Sequence, residues 1–108
     1  METITTEELK EKLDDEDDFI LVNVLSEEQF RKEHIPNSIN IPLGEIGRRR
    51  DELDPQKEII VYCKNFECDA SPIAVKKLEK LGFEKVVDYK GGIEDWKKKG
   101  HTIETIMG

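Results

Sequence analysis

Two short and almost wholly apolar segments constrain the fold of this chain more than any other feature. Residues 19–24 read Phe-Ile-Leu-Val-Asn-Val, and residues 58–63 read Glu-Ile-Ile-Val-Tyr-Cys. Runs of this length that are rich in β-branched residues are typical of strands buried on both faces. Such strands occur in sheets that are covered by helices on both sides, so the two segments predict an α/β fold.

Capping signals place helices between these strands. A Ser or Thr followed three residues later by Glu or Gln is typical of a helix N-terminus. Two such pairs start the helices predicted over residues 6–14 and 27–33, Thr5 with Glu8 and Ser26 with Gln29. Ser71, as the N-cap before Pro72, starts a third helix that ends at Gly82. The remaining predicted elements are strands over 38–40 and 83–89, helical turns over 44–50 and a helix over 93–99. This alternation predicts βαβ units in a mostly parallel sheet.

Length and charge exclude several classes of protein. The chain has 108 residues without a repeat or a low-complexity linker, so residues 1–108 are predicted to form one domain with its core at about residues 5–103. The net charge of −8 argues against a nucleic-acid binder with a basic surface, and most of this charge lies in residues 1–18. No apolar run approaches the ~20 residues that span a bilayer, and the acidic N-terminal segment does not read as a secretory signal. We therefore expect a cytoplasmic monomer with neither a nucleic-acid nor a membrane partner.

Cys63 is the candidate nucleophile. It ends the most apolar strand, and ligands of open α/β sheets bind beyond the carboxyl ends of strands. The polar loop 64–70 then leads into the helix predicted at Ser71, whose unpaired N–H groups and dipole favour an anion. A thiol in such a place is acidified relative to a free cysteine. The residues therefore predict a nucleophilic or sulfur-carrying Cys63, and the alternative is a small, inert core residue at a strand end.

Four stretches of the sequence carry a further signal. They are residues 20–42, which contain Glu-His-Ile-Pro, the strand 58–63, the helix and Leu-Gly-Phe step of 71–86, and Tyr-Lys-Gly-Gly-Ile-Glu-Asp-Trp at 89–96. In this order they resemble the single-domain rhodanese family. The resemblance implies a three-layer fold with a mostly parallel five-stranded sheet flanked by helices. It also implies a sulfurtransferase whose Cys63 accepts sulfane sulfur as a persulfide from a small-molecule or protein donor and passes it to a thiol acceptor. Neither a cofactor nor a metal is implied.

The loop after Cys63 departs from the family's pattern. Seven residues separate Cys63 from Ser71, and neither glycine nor arginine is among them, whereas the family's commonest loop is shorter and often contains both. Without arginine the loop has no bidentate grip on thiosulfate, which makes thiosulfate a less favoured donor. The residues predicted to surround the bound sulfur are Lys64, Asn65, Phe66, Glu67, Asp69, Ala70 and Ser71.

Cys68 is an additional thiol inside the same loop. It is a candidate resolving residue, because its thiolate could attack a persulfide or sulfenate on Cys63 and leave a disulfide. It could instead pack inward and stabilise the longer loop, whereas a metal site is a poor fit for two cysteines without nearby histidines. The alternatives to sulfur transfer are therefore a dithiol, persulfide-reducing activity of Cys63 and Cys68, and a non-catalytic rhodanese-like binding module.

Two further departures precede the loop. Asn23 and Leu25 stand where the family usually has aspartate and arginine. Because both partners of that charge pair are replaced together, no single charge is left stranded. We expect the fold to be kept and the fine orientation of the active loop to differ.

Overall fold

The computed structural model describes residues 1–107 and contains a five-stranded sheet in which every neighbouring pair is parallel. In chain order the strands are β1 (Glu2–Ile4), β2 (Phe19–Asn23), β3 (Ile39–Asn40), β4 (Glu58–Tyr62) and β5 (Val86–Tyr89). In space the order is β1-β5-β4-β2-β3, so the most apolar strand, β4, is central. The parallel five-stranded sheet is therefore confirmed.

Five α-helices accompany this sheet within residues 1–107. They are α1 (Thr6–Asp14), α2 (Glu27–Lys32), α3 (Ile46–Arg49), α4 (Ala70–Lys80) and α5 (Gly92–Lys98). Short 3-10 turns at Leu43–Glu45 and Arg50–Glu52 flank α3. Both predicted capping boxes form, at Thr5 for α1 and at Ser26 for α2. No helix of the described residues combines the length and the apolar character needed to cross a membrane.

An apolar cluster lies on each face of the sheet, which makes three layers. On one side, here called the α4 face, strand residues pack with α3 and α4: Val22, Ile59, Val61, Cys63 and Val86 with Ile46, Ala74, Val75 and Leu78. On the other side, the α5 face, strand residues pack with α1 and α5: Leu21, Ile60, Tyr62, Val87 and Tyr89 with Leu9, Ile93 and Trp96. Successive residues of β4 alternate between the two clusters because side chains alternate along a strand.

Two elements differ from the prediction at β1 and β5. The sequence pattern does not reveal β1, because it has three residues and is mostly exposed; its register with β5 defines it. Strand β5 begins at Val86 rather than at Phe83, because the residues before it close α4. Gly82 has a φ of +99°, its N–H donates to Glu79, and the N–H of Phe83 donates to Leu78. This is the Schellman arrangement, in which Gly82 holds the predicted position after the helix end.

Candidate active site

Cys63 lies directly after the central strand and is buried, with 1% of its surface exposed. Its side chain belongs to the cluster on the α4 face. Because all five strands are parallel, their carboxyl ends meet at the same edge of the sheet, and Cys63 lies at that edge. This is the region where open α/β sheets bind ligands.

The N-terminal end of α5 holds the two successive peptide groups that follow Cys63. The N–H of Ile93 donates to the carbonyl of Cys63 at 3.2 Å, and the N–H of Glu94 donates to the carbonyl of Lys64 at 2.9 Å. Gly92 makes this approach feasible, since a Cβ atom there would lie 2.6 Å from the Cys63 carbonyl oxygen. The chain direction immediately after Cys63 is thus set by α5.

The structure corrects the start of α4. Ser71 was predicted as the N-cap, but Asp69 is the N-cap, Ser71 is the second helical residue and Pro72 is the third. Proline is tolerated there because N–H groups in the first turn have no helical acceptor. Since Ser71 does not cap the helix, its hydroxyl is available elsewhere. It is buried, and its Oγ lies 3.4 Å from Sγ of Cys63.

Asn65 organises the loop between Cys63 and α4. Its Oδ1 accepts the N–H of Glu67 at 3.0 Å, and its carbonyl accepts the N–H of Cys68 at 3.2 Å. Its Nδ2 donates to Oε2 of Glu94 at 3.2 Å, which ties the loop to α5. The N–H groups of Glu67 and Cys68 are therefore engaged inside the loop itself.

The other loop side chains differ in exposure. Lys64, Phe66, Glu67 and Asp69 are exposed, and Phe66 is the most exposed large apolar residue of the loop at 68%. Ala70 is half-buried and packs against the cluster on the α4 face. Of the residues predicted to act with Cys63, the structure brings Ser71 and Cys68 into contact with its sulfur.

Cys68 and Cys63 are joined as a disulfide. Their Cα atoms are 6.4 Å apart, within the range that a disulfide can bridge. Cys68 is half-buried and also packs against the cluster on the α4 face. Within residues 1–107, no group of three His, Cys, Asp or Glu side chains is placed to hold a metal ion. The arrangement is suited to thiol–disulfide chemistry between the two sulfur atoms.

Asn23 is the last residue of β2 and pairs with Tyr62 at the end of β4, and Leu25 lies on the segment that follows β2. The buried Asn23 accepts the N–H of Leu25 through Oδ1 at 2.9 Å, and Nδ2 of Asn40 donates to the Asn23 carbonyl at 3.1 Å. The half-buried Leu25 packs against both apolar clusters. An uncharged pair of residues therefore occupies these two positions with hydrogen bonds and apolar contacts.

Sequence reasoning missed an ion pair at this edge of the sheet. Asp88, in β5, is fully buried, and the ammonium of Lys90 lies 3.2 Å from its Oδ2. Tyr62 pairs with Tyr89, so the next residues along these two strands are Cys63 and Lys90. The available signal was the position of Lys90 directly after the strand predicted over residues 83–89, since that strand was expected to end at the same edge as Cys63.

Comparison with known proteins identifies a family whose model matches most of this chain. The model of the Rhodanese-like domain family matches residues 5–99. A relative from Allochromatium vinosum named "Sulfurtransferase" is 27% identical over 105 residues, which cover 97% of this chain and 96% of the relative. A relative from Ogataea parapolymorpha named "Adenylyltransferase and sulfurtransferase uba4" is 40% identical over 79 residues, which cover 73% of this chain and 20% of the relative. The chain spans about half (51%) of the length of YrkF of Bacillus subtilis, with 34% identity over 96 residues, 89% of this chain.

Solved structures share the fold. The crystal structure of the BH2092 protein from Bacillus halodurans superposes with a TM-score of 0.89 at 29% identity, covering 96% of this chain and 77% of that one. A rhodanese-related protein from Thermoplasma volcanium superposes with a TM-score of 0.83 at 28% identity, covering 96% and 98% of the two chains.

Proposed function

Because this chain belongs to the rhodanese-like domain family, we propose that it is a sulfurtransferase in which Cys63 carries the sulfur as a persulfide. Relatives named as sulfurtransferases support the transfer of sulfur as the general role. The observation that carries the assignment to Cys63 is the 3.4 Å separation between its Sγ and the Oγ of Ser71, at the first turn of α4.

The surroundings of Cys63 favour an anionic sulfur. Helix α4 has eleven residues, so its first N–H groups and its dipole present partial positive charge at the end where Ser71 lies. The Ser71 hydroxyl can donate a hydrogen bond to a thiolate, and hydrogen bonds to charged acceptors are stronger than those to neutral ones. Thiolates are the reactive form of cysteine, so this environment supports nucleophilic attack by Cys63.

Sulfur transfer then takes two steps. The Cys63 thiolate attacks the sulfane sulfur of the donor, a bond forms to Sγ, and the donor's bond to that sulfur breaks with its electron pair leaving on the donor, as sulfite leaves thiosulfate. The thiolate of an acceptor next attacks the outer sulfur of the persulfide, and Cys63 leaves as a thiolate. The cycle consumes no external oxidant or reductant and returns Cys63 to its starting state.

The loop chemistry bears on the donor. Lys64 is the one basic residue of residues 64–70, and Glu67 and Asp69 oppose it. No arginine is present to hold an oxyanion by two hydrogen bonds. We therefore expect thiosulfate to load Cys63 less readily than a polysulfide or a small-molecule or protein persulfide does.

Intact mass measurement tests the proposal. Reduced protein is incubated separately with thiosulfate, polysulfide and glutathione persulfide, freed of donor and weighed. We expect a gain of one sulfur atom that maps to Cys63, that is absent in Cys63→Ala and that persists in Cys68→Ser. If no donor adds sulfur at Cys63, the proposal is wrong and a non-catalytic binding module becomes the better account.

The disulfide between Cys63 and Cys68 favours a second candidate function, the reduction of persulfides. The Cys68 thiolate would attack Sγ of a Cys63 persulfide, form the Cys63–Cys68 disulfide and release the outer sulfur as hydrosulfide. A cellular dithiol or small thiol would then have to reduce the disulfide. In wild-type protein loaded with one sulfur, this activity predicts hydrosulfide release and loss of both free thiols, whereas Cys68→Ser keeps its persulfide. Equal persulfide lifetimes in the two proteins would exclude it.

A further inference from the structure

Asp88 is a fully buried carboxylate with a single charged neighbour. The ammonium of Lys90 lies 3.2 Å from Oδ2, and among residues 1–107 no other group donates a hydrogen bond to either oxygen atom. A buried charge is costly unless an opposite charge compensates it, so the pair fixes the Lys90 side chain against the sheet. Lys90 nevertheless remains partly open to solvent, with 45% of its side chain exposed.

The pair lies on the same face of the sheet as Cys63. Val86 packs in the cluster on the α4 face, and Val87 and Tyr89 pack on the α5 face. Since side chains alternate along a strand, Asp88 lies on the α4 face, where Cys63 also lies. The ammonium of Lys90 reaches Asp88 and is therefore on that face as well.

The pair is also level with the carboxyl end of β4. The register pairs Val61 with Asp88 and Tyr62 with Tyr89, so Lys90 follows β5 where Cys63 follows β4. A second observation links Lys90 to the loop, since Lys90 and Phe66 line the same surface cavity. Asp88 lies one step further from the edge than Lys90 does. The side chain of Lys90 is 45% exposed and that of Asp88 is fully buried, so the positive member of the pair is the one that a donor in solution can reach.

We propose that Lys90, positioned by Asp88, is the cation that binds the anionic part of the sulfur donor at Cys63. This inference rests on the proposed sulfur transfer for the identity of the ligand, namely a sulfane-sulfur compound with a negative charge beside the transferable sulfur. Lys90 thus supplies the positive charge for donor binding that an arginine in the loop 64–70 would otherwise supply. Lys64, by contrast, is exposed and shares its loop with Glu67 and Asp69.

Two alkylating reagents of different charge test this assignment without requiring sulfur transfer. In a Cys68→Ser background, Cys63 is the one thiol, and its alkylation rates with anionic iodoacetate and neutral iodoacetamide are measured at low ionic strength. The ratio of the two rates reports the electrostatic potential at Sγ, and changes in general accessibility or thiolate content cancel. We expect Lys90→Met to lower this ratio about three- to tenfold, Lys90→Arg to keep it, and added salt to shrink the difference.

Two further variants keep the test decisive. Lys98→Met, an exposed lysine at the other end of α5, is expected to leave the ratio unchanged. Lys90→Met leaves Asp88 without its cation, which could impair folding, so the double variant Asp88→Asn/Lys90→Met removes both charges together. We expect the rate ratio of the double variant to lie between that of the parent and that of Lys90→Met. Ratios equal to the parent's in both Lys90→Met and Asp88→Asn/Lys90→Met would overturn the inference. If Lys90→Met lowers the rate ratio as expected but no donor loads sulfur on Cys63, the proposed function is rejected and the cation site is retained.

Discussion

The backbone of Gly92 lies so close to that of Cys63 that a Cβ atom on Gly92 would be 2.6 Å from the Cys63 carbonyl oxygen. Gly92 also has a φ of +64°, in the left-handed region that residues with a Cβ atom rarely adopt. The hydrogen bonds from Ile93 and Glu94 to the carbonyls of Cys63 and Lys64 depend on this close approach. The N-terminal end of α5 is therefore part of the active-site framework.

Gly92→Ala is expected to lower the free energy of unfolding by about 2–4 kcal/mol, because it adds both backbone strain and a clash with main-chain atoms that cannot move aside. Gly47→Ala is the matched control: Gly47 lies in α3, and a Cβ atom there would meet nothing within 4 Å. That variant should stay within about 1 kcal/mol of the wild type, since alanine favours helix. Urea denaturation measures both, and equal effects of the two substitutions would contradict the role given to Gly92.

The contact between Ser71 and Cys63 makes a prediction about reactivity. In a Cys68→Ser background, Ser71→Ala should slow alkylation of Cys63 by iodoacetamide at neutral pH about three- to tenfold, because the thiolate loses a hydrogen bond worth about 1 kcal/mol. Ser26→Ala is the control, since it removes the N-cap of α2 and costs about 1 kcal/mol of stability without touching Cys63. Unchanged alkylation in Ser71→Ala would mean that the hydroxyl does not serve the sulfur.

The buried hydroxyl of Tyr89 makes a prediction about pH. Burial raises the pKa of Tyr89 from 10.0 to about 12, and its hydroxyl lies 2.6 Å from Oγ1 of Thr6. Because the pKa is higher in the folded than in the unfolded chain, this group's stabilising contribution is complete below about pH 10 and is lost as the pH rises towards about 12. Between about pH 10 and 11, the free energy of unfolding of Tyr89→Phe should therefore fall less steeply with pH than that of the wild type. The two slopes should differ by up to about 1.4 kcal/mol per pH unit. Parallel curves for the two proteins would refute this.

Much of the fold could be predicted because its signals are local. The apolar runs at 19–24 and 58–63 became β2 and β4, and the capping boxes at Thr5 and Ser26 form as predicted. Strand β1 could not be found in this way, since three mostly exposed residues carry no pattern and become a strand through their pairing with β5. Its existence depends on contacts more than eighty residues apart in the chain.

The site shows the same division between local and distant information. The position of Cys63 at the end of a buried strand followed from residues 58–63 alone. The start of α4 at Ala70 did not, because a Ser-Pro pair fits two placements equally well. It can be the N-cap and first residue of a helix, or the second and third residues as it is here. The approach of Gly92, the hold of Glu94 on Asn65 and the placement of Lys90 beside Cys63 all require the packing of β5 and α5 against β4. Local sequence patterns do not predict that packing, because it joins segments that are far apart in the chain.

The most direct test of Cys63 as a sulfur carrier is a single turnover that follows one sulfur atom. Cys68→Ser protein is loaded with sulfur, freed of donor and mixed with cyanide, and its intact mass and the thiocyanate formed are measured over the same time course. We predict that the loaded fraction loses one sulfur atom at the rate at which thiocyanate appears, in equal amounts, and that Cys63→Ala/Cys68→Ser yields none. Thiocyanate without a matching loss of mass, or a loaded Cys63 that cyanide does not discharge, would contradict the account.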